Sequence, residues 1–482
     1  MKVPHHRHHK HLYCALVVAL ALMISGLLNL TPSTKAASAP EVSTDYADSA
    51  NYAQATTIST LEFRDAMRKL WEDHIGWTRL YIISALADLP DKNLVASRLL
   101  RNQDDIGNAI KPFYGEAAGD KLAELLREHI LGADELLDAA NAGDNVKIEA
   151  GKVRWYRNAD AIASFLNAAN PNAWGHDLIA STMKMHLDLT LEEAVARLTG
   201  DWAADVAAYD KIHEHILGMA DALSAGIIAQ FPNRFTGVTP SRSSDQEITL
   251  HNGMRESWED HIIWTRLLIV SAVSDLPDKE AALNRLLQDQ VDIGNLVKHY
   301  YGDAAGEQLT VLLKDHIMGA VELLTAAAKN DSAAVKVASD KWYANGDDIA
   351  TFLNGANSKA WPLDTLKSMM KGHLDLTLDE AVAHLKGDYA KDIADYDKVH
   401  EHILGMADAL SSGIVSQFPE RFNMAGPMGA MPAGEHAPGH MGMPMTGSPA
   451  GQAPYLPWQL VLVASLLTGA GLLALRRVRR HG

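Results

Sequence analysis

The string HEHILGMADALS at residues 213–224 returns unchanged at 400–411. Working outward from it, the match continues at a constant offset of 187 residues. WEDHI at 71–75 returns at 258–262, REHILGA at 127–133 as KDHIMGA at 314–320, and HLDLTLE at 186–192 as HLDLTLD at 373–379. An ungapped repeat of this length marks a duplicated structural unit. The copies span 60–236 and 247–423, and the polar stretch GVTPSRSSDQ at 237–246 reads as a linker.

Within a copy the apolar pattern is helical. Leu70, His74, Trp77 and Tyr81 recur at three- and four-residue steps, which gather on one helix face. DLPDK at 88–92 stops that helix, because proline cannot continue it. Further helices are expected at about 92–112, 116–140, 146–169, 173–187 and 190–230, with Thr190 and Glu193 as a capping signature for the last. No stretch alternates cleanly enough for a strand. The fold class is all-α, with tandem duplicated helical-bundle modules. A fainter echo inside each copy sets Asn102 and His129 against Asn158 and His186, as if each module were a decayed pair of helical units.

The 482 residues carry 60 acidic and 43 basic side chains, a formal net charge of −17. A surface of that sign argues against a nucleic-acid partner. The single cysteine, Cys14, lies in a segment with the order of a secretory signal peptide, expected to occupy 1–39. Residues 40–59 read as a flexible lead-in. At the other end an apolar run at 456–475 has the length of a transmembrane helix, followed by a basic tail at 476–482. The positive-inside tendency then places the modules outside, at a cell surface. Met443-Pro444-Met445-Thr446-Gly447, with the apolar run and basic tail behind it, resembles a Gram-positive LPxTG-type cell-wall sorting signal, with methionine in the leucine position. That resemblance implies attachment to the cell wall through Thr446, and otherwise a membrane anchor.

Five histidines recur in both copies, and so do several acids. His74, Asp105, His129, Asp160, His186, Asp210 and His213 correspond to His261, Asp292, His316, Asp347, His373, Asp397 and His400. Asp210 and His213 are three residues apart, so both point the same way from a helix. This resembles the Glu-x-x-His element of ferritin-like four-helix metal bundles, with Asp for Glu and one such element per copy instead of two. The resemblance implies a transition metal (Fe, Zn, Mn or Cu) held among these fourteen residues. The alternative is a hydrogen-bond network, in which His74 pairs with Asp105 or His129 with Asp160, because buried polar groups need partners. The stretch 424–455 is rich in Met, His, Gly and Pro, which cannot build a core. Its thioethers and imidazoles suit copper. His213-Glu214-His215 lacks the zincin spacing, and neither a phosphate-cradling glycine loop nor a serine nucleophile constellation is evident.

Two functional readings follow. One is an extracellular, surface-anchored metal-binding protein. The other is a non-catalytic structural or adhesive repeat protein whose His and Asp residues form buried hydrogen-bond networks.

Overall fold

A computed structural model describes residues 57–237 and 242–422. The first repeat forms helices α1 (Thr60–Leu86), α2 (Lys92–Tyr114), α3 (Glu116–Ala142), α4 (Asn145–Ala169), α5 (His176–Thr199) and α6 (Trp202–Gln230). The second forms α7 (Arg242–Val273), α8 (Lys279–Tyr301), α9 (Asp303–Ala328), α10 (Ser332–Ala356), α11 (Leu363–Lys386) and α12 (Tyr389–Gln417), then a last turn α13 (Pro419–Phe422).

Local chemistry sets the ends. Ser59 and Glu62 form a reciprocal capping box at the start of α1. Gly143 and Gly200 close α3 and α5 in the left-handed region, at φ 68° and 78°, where a side chain would be strained. Asp201 then caps α6 by accepting from the Ala204 amide. The expected helix at 190–230 is therefore corrected. Thr190 lies inside α5 and donates its hydroxyl to the His186 carbonyl, while Glu193 binds Arg79. The stop is the Gly200-Asp201 pair.

Consecutive helices pack on one another, and α6 returns to pack on α1, closing a ring of six. Helices α7–α12 close a second ring in the same way. Short loops make chain neighbours antiparallel, so a ring is three helical hairpins: α1–α2, α3–α4 and α5–α6. The echo read as a pair in the sequence is thus a triplet. Ile58–Ser59 (β1) pairs in parallel with Phe235–Thr236 (β2), so the end of the expected lead-in is tied to the far end of its own repeat. The likeness to ferritin-type bundles holds only as tight helix packing around buried ligand-type side chains.

The rings meet along α1 and α7 and their partners. Trp77 sets its edge against Tyr396 at 5.7 Å between ring centres, and Tyr209 against Trp264 at 5.6 Å. At the axis relating the repeats the symmetry breaks: Gly76 stands opposite Ile263, and a Cβ at Gly76 would lie 3.3 Å from Ile263 Cδ1.

The expected membrane attachment is corrected. Among the described residues no helix is long and apolar enough to cross a membrane. The physical reason is visible in α6, which carries Asp205, Asp210, Lys211, His213 and Glu214, charged or ionisable groups that an apolar span excludes. A transmembrane helix, a membrane partner and a surface-anchored localisation therefore find no support in these helices. The stretches read as signal peptide, most of the lead-in, sorting motif with Thr446, Met/His-rich stalk, apolar run and basic tail lie outside the described residues.

Candidate functional site

One histidine from the first helix of each hairpin reaches the middle of its ring. His74 on α1, His129 on α3 and His186 on α5 place one ring nitrogen each within 4.8 Å of the others. Their ring centres are 6.2, 5.6 and 5.9 Å apart. His261, His316 and His373 repeat the arrangement at 6.2, 5.5 and 5.9 Å. All six are buried.

The second helix of each hairpin supplies the outer partner, at a constant spacing of 29 residues. His74 Nδ1 lies 3.2 Å from Gln103 Oε1, and His316 Nδ1 lies 3.1 Å from Asn345 Oδ1. In the third hairpin His215 stacks on His186 with ring centres 6.2 Å apart, and hydrogen-bonds the Thr182 carbonyl. His215 is therefore a half-buried part of the assembly. An Nδ1–H given to Gln103 leaves the lone pair of His74 on its other nitrogen. The Nδ1 atoms of His186 and His373 are buried with no hydrogen-bond partner among the described residues.

Burial holds these imidazoles neutral. It pushes His74 and His316 down to about 4, and His129 and His261 down to about 3, with a neighbouring imidazole adding to the effect in the latter two. His186 and His373 are driven well below the usual range by burial and by the two other rings of their triad. A neutral imidazole is the form that ligates a metal.

His213 and His400 sit elsewhere, between the rings. His213 contacts Glu72 Oε1 at 3.0 Å through Nε2 and Asp260 Oδ1 at 3.1 Å through Nδ1. His400 contacts Glu259 Oε1 at 2.7 Å and Asp73 Oδ1 at 3.3 Å. Each imidazole thus joins a glutamate of its own repeat to an aspartate of the other. Burial opposes the charge of both rings, but the flanking carboxylates outweigh it: His213 is raised well above its ordinary value and His400 to about 9. Glu72 and Glu259 also bring carboxylate oxygens within 4.8 Å of each other. Burial and the Glu259 charge raise Glu72, whereas Glu259 stays ionised beside Glu72 and His400, so the pair shares one proton. Arg98 spans Asp73 and Asp397, and Arg285 spans Asp260 and Asp210. Glu72, Glu259 and His400 also lie close enough to form a third group of metal-type ligands.

The aspartates singled out in the sequence do not join either triad. Asp210 and Asp397 bind Arg285 and Arg98 across the interface. Asp160 faces His176 at 3.4 Å, Asp347 binds Lys367, and Asp292 accepts from Gln288. Asp105 is half-buried near Arg98 and Arg101. The pairing of His74 with Asp105 is replaced by Gln103, and Asp160 faces His176 rather than His129, whose Nδ1 is buried with no hydrogen-bond partner among the described residues. Asp210 and His213 leave their helix together but turn to different partners. Sequence reasoning passed over Glu72, Asp73, Glu259 and Asp260 as site residues. Their signal was present in WEDHI, unchanged in both copies.

Three buried clusters, two of three histidines and one of two glutamates with a histidine, can supply ligands to a transition-metal ion. No family model matches the chain, and no curated protein or solved structure matches it.

Proposed function

We propose that this is a non-catalytic structural repeat protein, organised as two domains at 60–236 and 247–423, whose buried His, Asp and Glu residues lock two helical rings into one body. The observation that carries this reading is the reciprocal bridging of the interface. His213 takes Glu72 from its own repeat and Asp260 from the other, and His400 takes Glu259 and Asp73. Such a network sets register and orientation, because any sliding strands buried charges. Breaking it with His213→Ala is expected to cost roughly 3–5 kcal/mol of unfolding free energy, as for one partner lost from a buried ion pair. Denaturant titration of H213A measures this. A loss below about 1 kcal/mol, the level of a surface pair, sinks the reading.

The triads favour a second reading at the level of the site. Three neutral imidazoles converge in each ring, and the buried Nδ1 atoms of His129, His186 and His373 lack a hydrogen-bond partner among the described residues. His74, His129 and His186 would hold one transition-metal ion, and His261, His316 and His373 a second. An all-imidazole set suits Zn, Cu or Fe better than Mn. Bound there, the ion would tie the three hairpins of a ring together. Elemental analysis of the full chain, purified without a His tag or added metal, tests this. Near two equivalents, falling to one in His186→Ala, supports it. Metal-free protein that takes up none of Fe, Zn, Mn or Cu leaves the hydrogen-bond reading alone.

A further inference from the structure

The second ring contains a cavity of about 640 Å³, lined by Leu268, Ile317, Leu324, Trp342, Leu378 and their neighbours on α7 to α11. That volume falls in the ~300–1,000 Å³ range of small-molecule sites. Its two threonine hydroxyls are taken up within their own helices. Thr265 and Thr377 donate to the His261 and His373 carbonyls of their own helices. At its edge Lys336 is paired with Asp340, and both are at least partly exposed.

The repeats show how the cavity arises. Leu268, Val321 and Ser339 stand where the first repeat has Tyr81, Asp134 and Lys152. There Tyr81 and Lys152 are buried, and the Tyr81 hydroxyl donates to Asp134. The second repeat has exchanged a phenol, a carboxylate and an ammonium for shorter side chains, and the largest loss of volume is at Ser339. Adjacent layers keep their identity: Thr78, Ile130, Trp155 and Thr190 return as Thr265, Ile317, Trp342 and Thr377. At the positions of Tyr81 and Asp134 the exchange replaces polar groups with the apolar Leu268 and Val321.

We propose that this cavity is a binding site for an amphiphile with a single aliphatic chain. The hydrocarbon fills the interior, where an apolar space excludes water and accepts apolar guests. The polar end remains at the mouth near Lys336 and Asp340. Polar ligands are disfavoured because most of the lining is aliphatic or aromatic and both threonine hydroxyls are already bonded, so most of their desolvation would go unrecovered. The site belongs to the second repeat only, and it is independent of whether either triad holds metal.

The test is a fluorescence titration of the full chain with cis-parinaric acid. The expected result is saturable binding of one probe per chain, displaced by 1-dodecanol. Restoring the first-repeat residues with Leu268→Tyr, Val321→Asp and Ser339→Lys should weaken binding by about tenfold or more, as the space is refilled. The converse variant, Tyr81→Leu with Asp134→Val and Lys152→Ser, should raise the stoichiometry to two. Circular dichroism reports whether each variant folds, and the gain-of-site variant carries the test if the refilled one does not. Absence of saturable binding by the parent chain overturns the proposal. So does undiminished binding to the folded, refilled variant, which would place the probe elsewhere.

Discussion

His74 and His400 carry the same side chain and are equally buried, yet their surroundings drive them in opposite directions. His74 faces an amide and two other imidazoles, so burial dominates and the ring stays neutral. His400 lies between Glu259 and Asp73, whose charges overcome burial. In metal-free protein the six triad histidines bind protons more readily when unfolded than when folded. Their stabilising contribution is complete above the unfolded value near 6.5 and is lost as pH falls toward the folded values, about 3 to 4 for His74, His129, His261 and His316 and well below the usual range for His186 and His373. Each can contribute up to about 1.4 kcal/mol per pH unit in that window. Denaturant midpoints measured from pH 7 to 4 should therefore fall steeply, and His186→Ala should make the slope shallower. A parent slope no steeper than the variant's would show that the triad is not buried neutral.

Among the elements, the contact between neighbouring hairpins at α2–α3, and its counterpart at α8–α9, depends on close backbone approach. A Cβ at Gly107 would lie 2.6 Å from the Gly119 carbonyl oxygen and 2.8 Å from the Ala123 Cβ, and a Cβ at Gly294 would lie 2.8 Å from the Gly306 carbonyl oxygen. Neither obstacle is the end of a flexible chain, so the helices must separate. Gly107→Ala is expected to destabilise the protein by ~1–3 kcal/mol, despite the higher helix propensity of alanine. Thermal unfolding of G107A checks this, and a raised Tm would mean that propensity outweighs packing here. Each hairpin brings one inner histidine and one outer partner, so the triads follow from hairpin geometry repeated three times.

For the whole molecule, the two rings are held by ions rather than by an apolar seam alone. Arg98, Arg285 and the two bridging histidines connect carboxylates of opposite repeats. The His400 contribution has the opposite pH sign to that of the triads. It is complete below about 6.5 and is lost as pH rises through about 9. Raising the pH from 7 to 10 should loosen the interface before the rings melt. Amide exchange should then increase first around Glu72, Tyr209 and His400, and this early increase should vanish in His400→Gln. Simultaneous opening of interface and ring interiors would show that the network does not set their association.

The amino-acid sequence by itself determined the duplication, its offset and the helical class, because an ungapped repeat and a 3.6-residue periodicity are properties of order along the chain. It also marked the histidines that form the triads, through their recurrence in both copies. It did not separate them from His213 and His400, nor show that Asp105, Asp160 and Asp210 turn away. Which helix face meets which is decided by ring closure. The side chain 29 residues away, rather than the nearest acid, becomes the partner because it lies on the returning helix. The Glu72, Asp73, Glu259 and Asp260 network required both rings, since each histidine takes one carboxylate from each repeat. The Thr190 capping signature failed because capping is a local preference, whereas burial of Glu193 against Arg79 is a tertiary one. Spacing along the chain encodes a helix, but only the packing of several helices decides which buried groups share a charge.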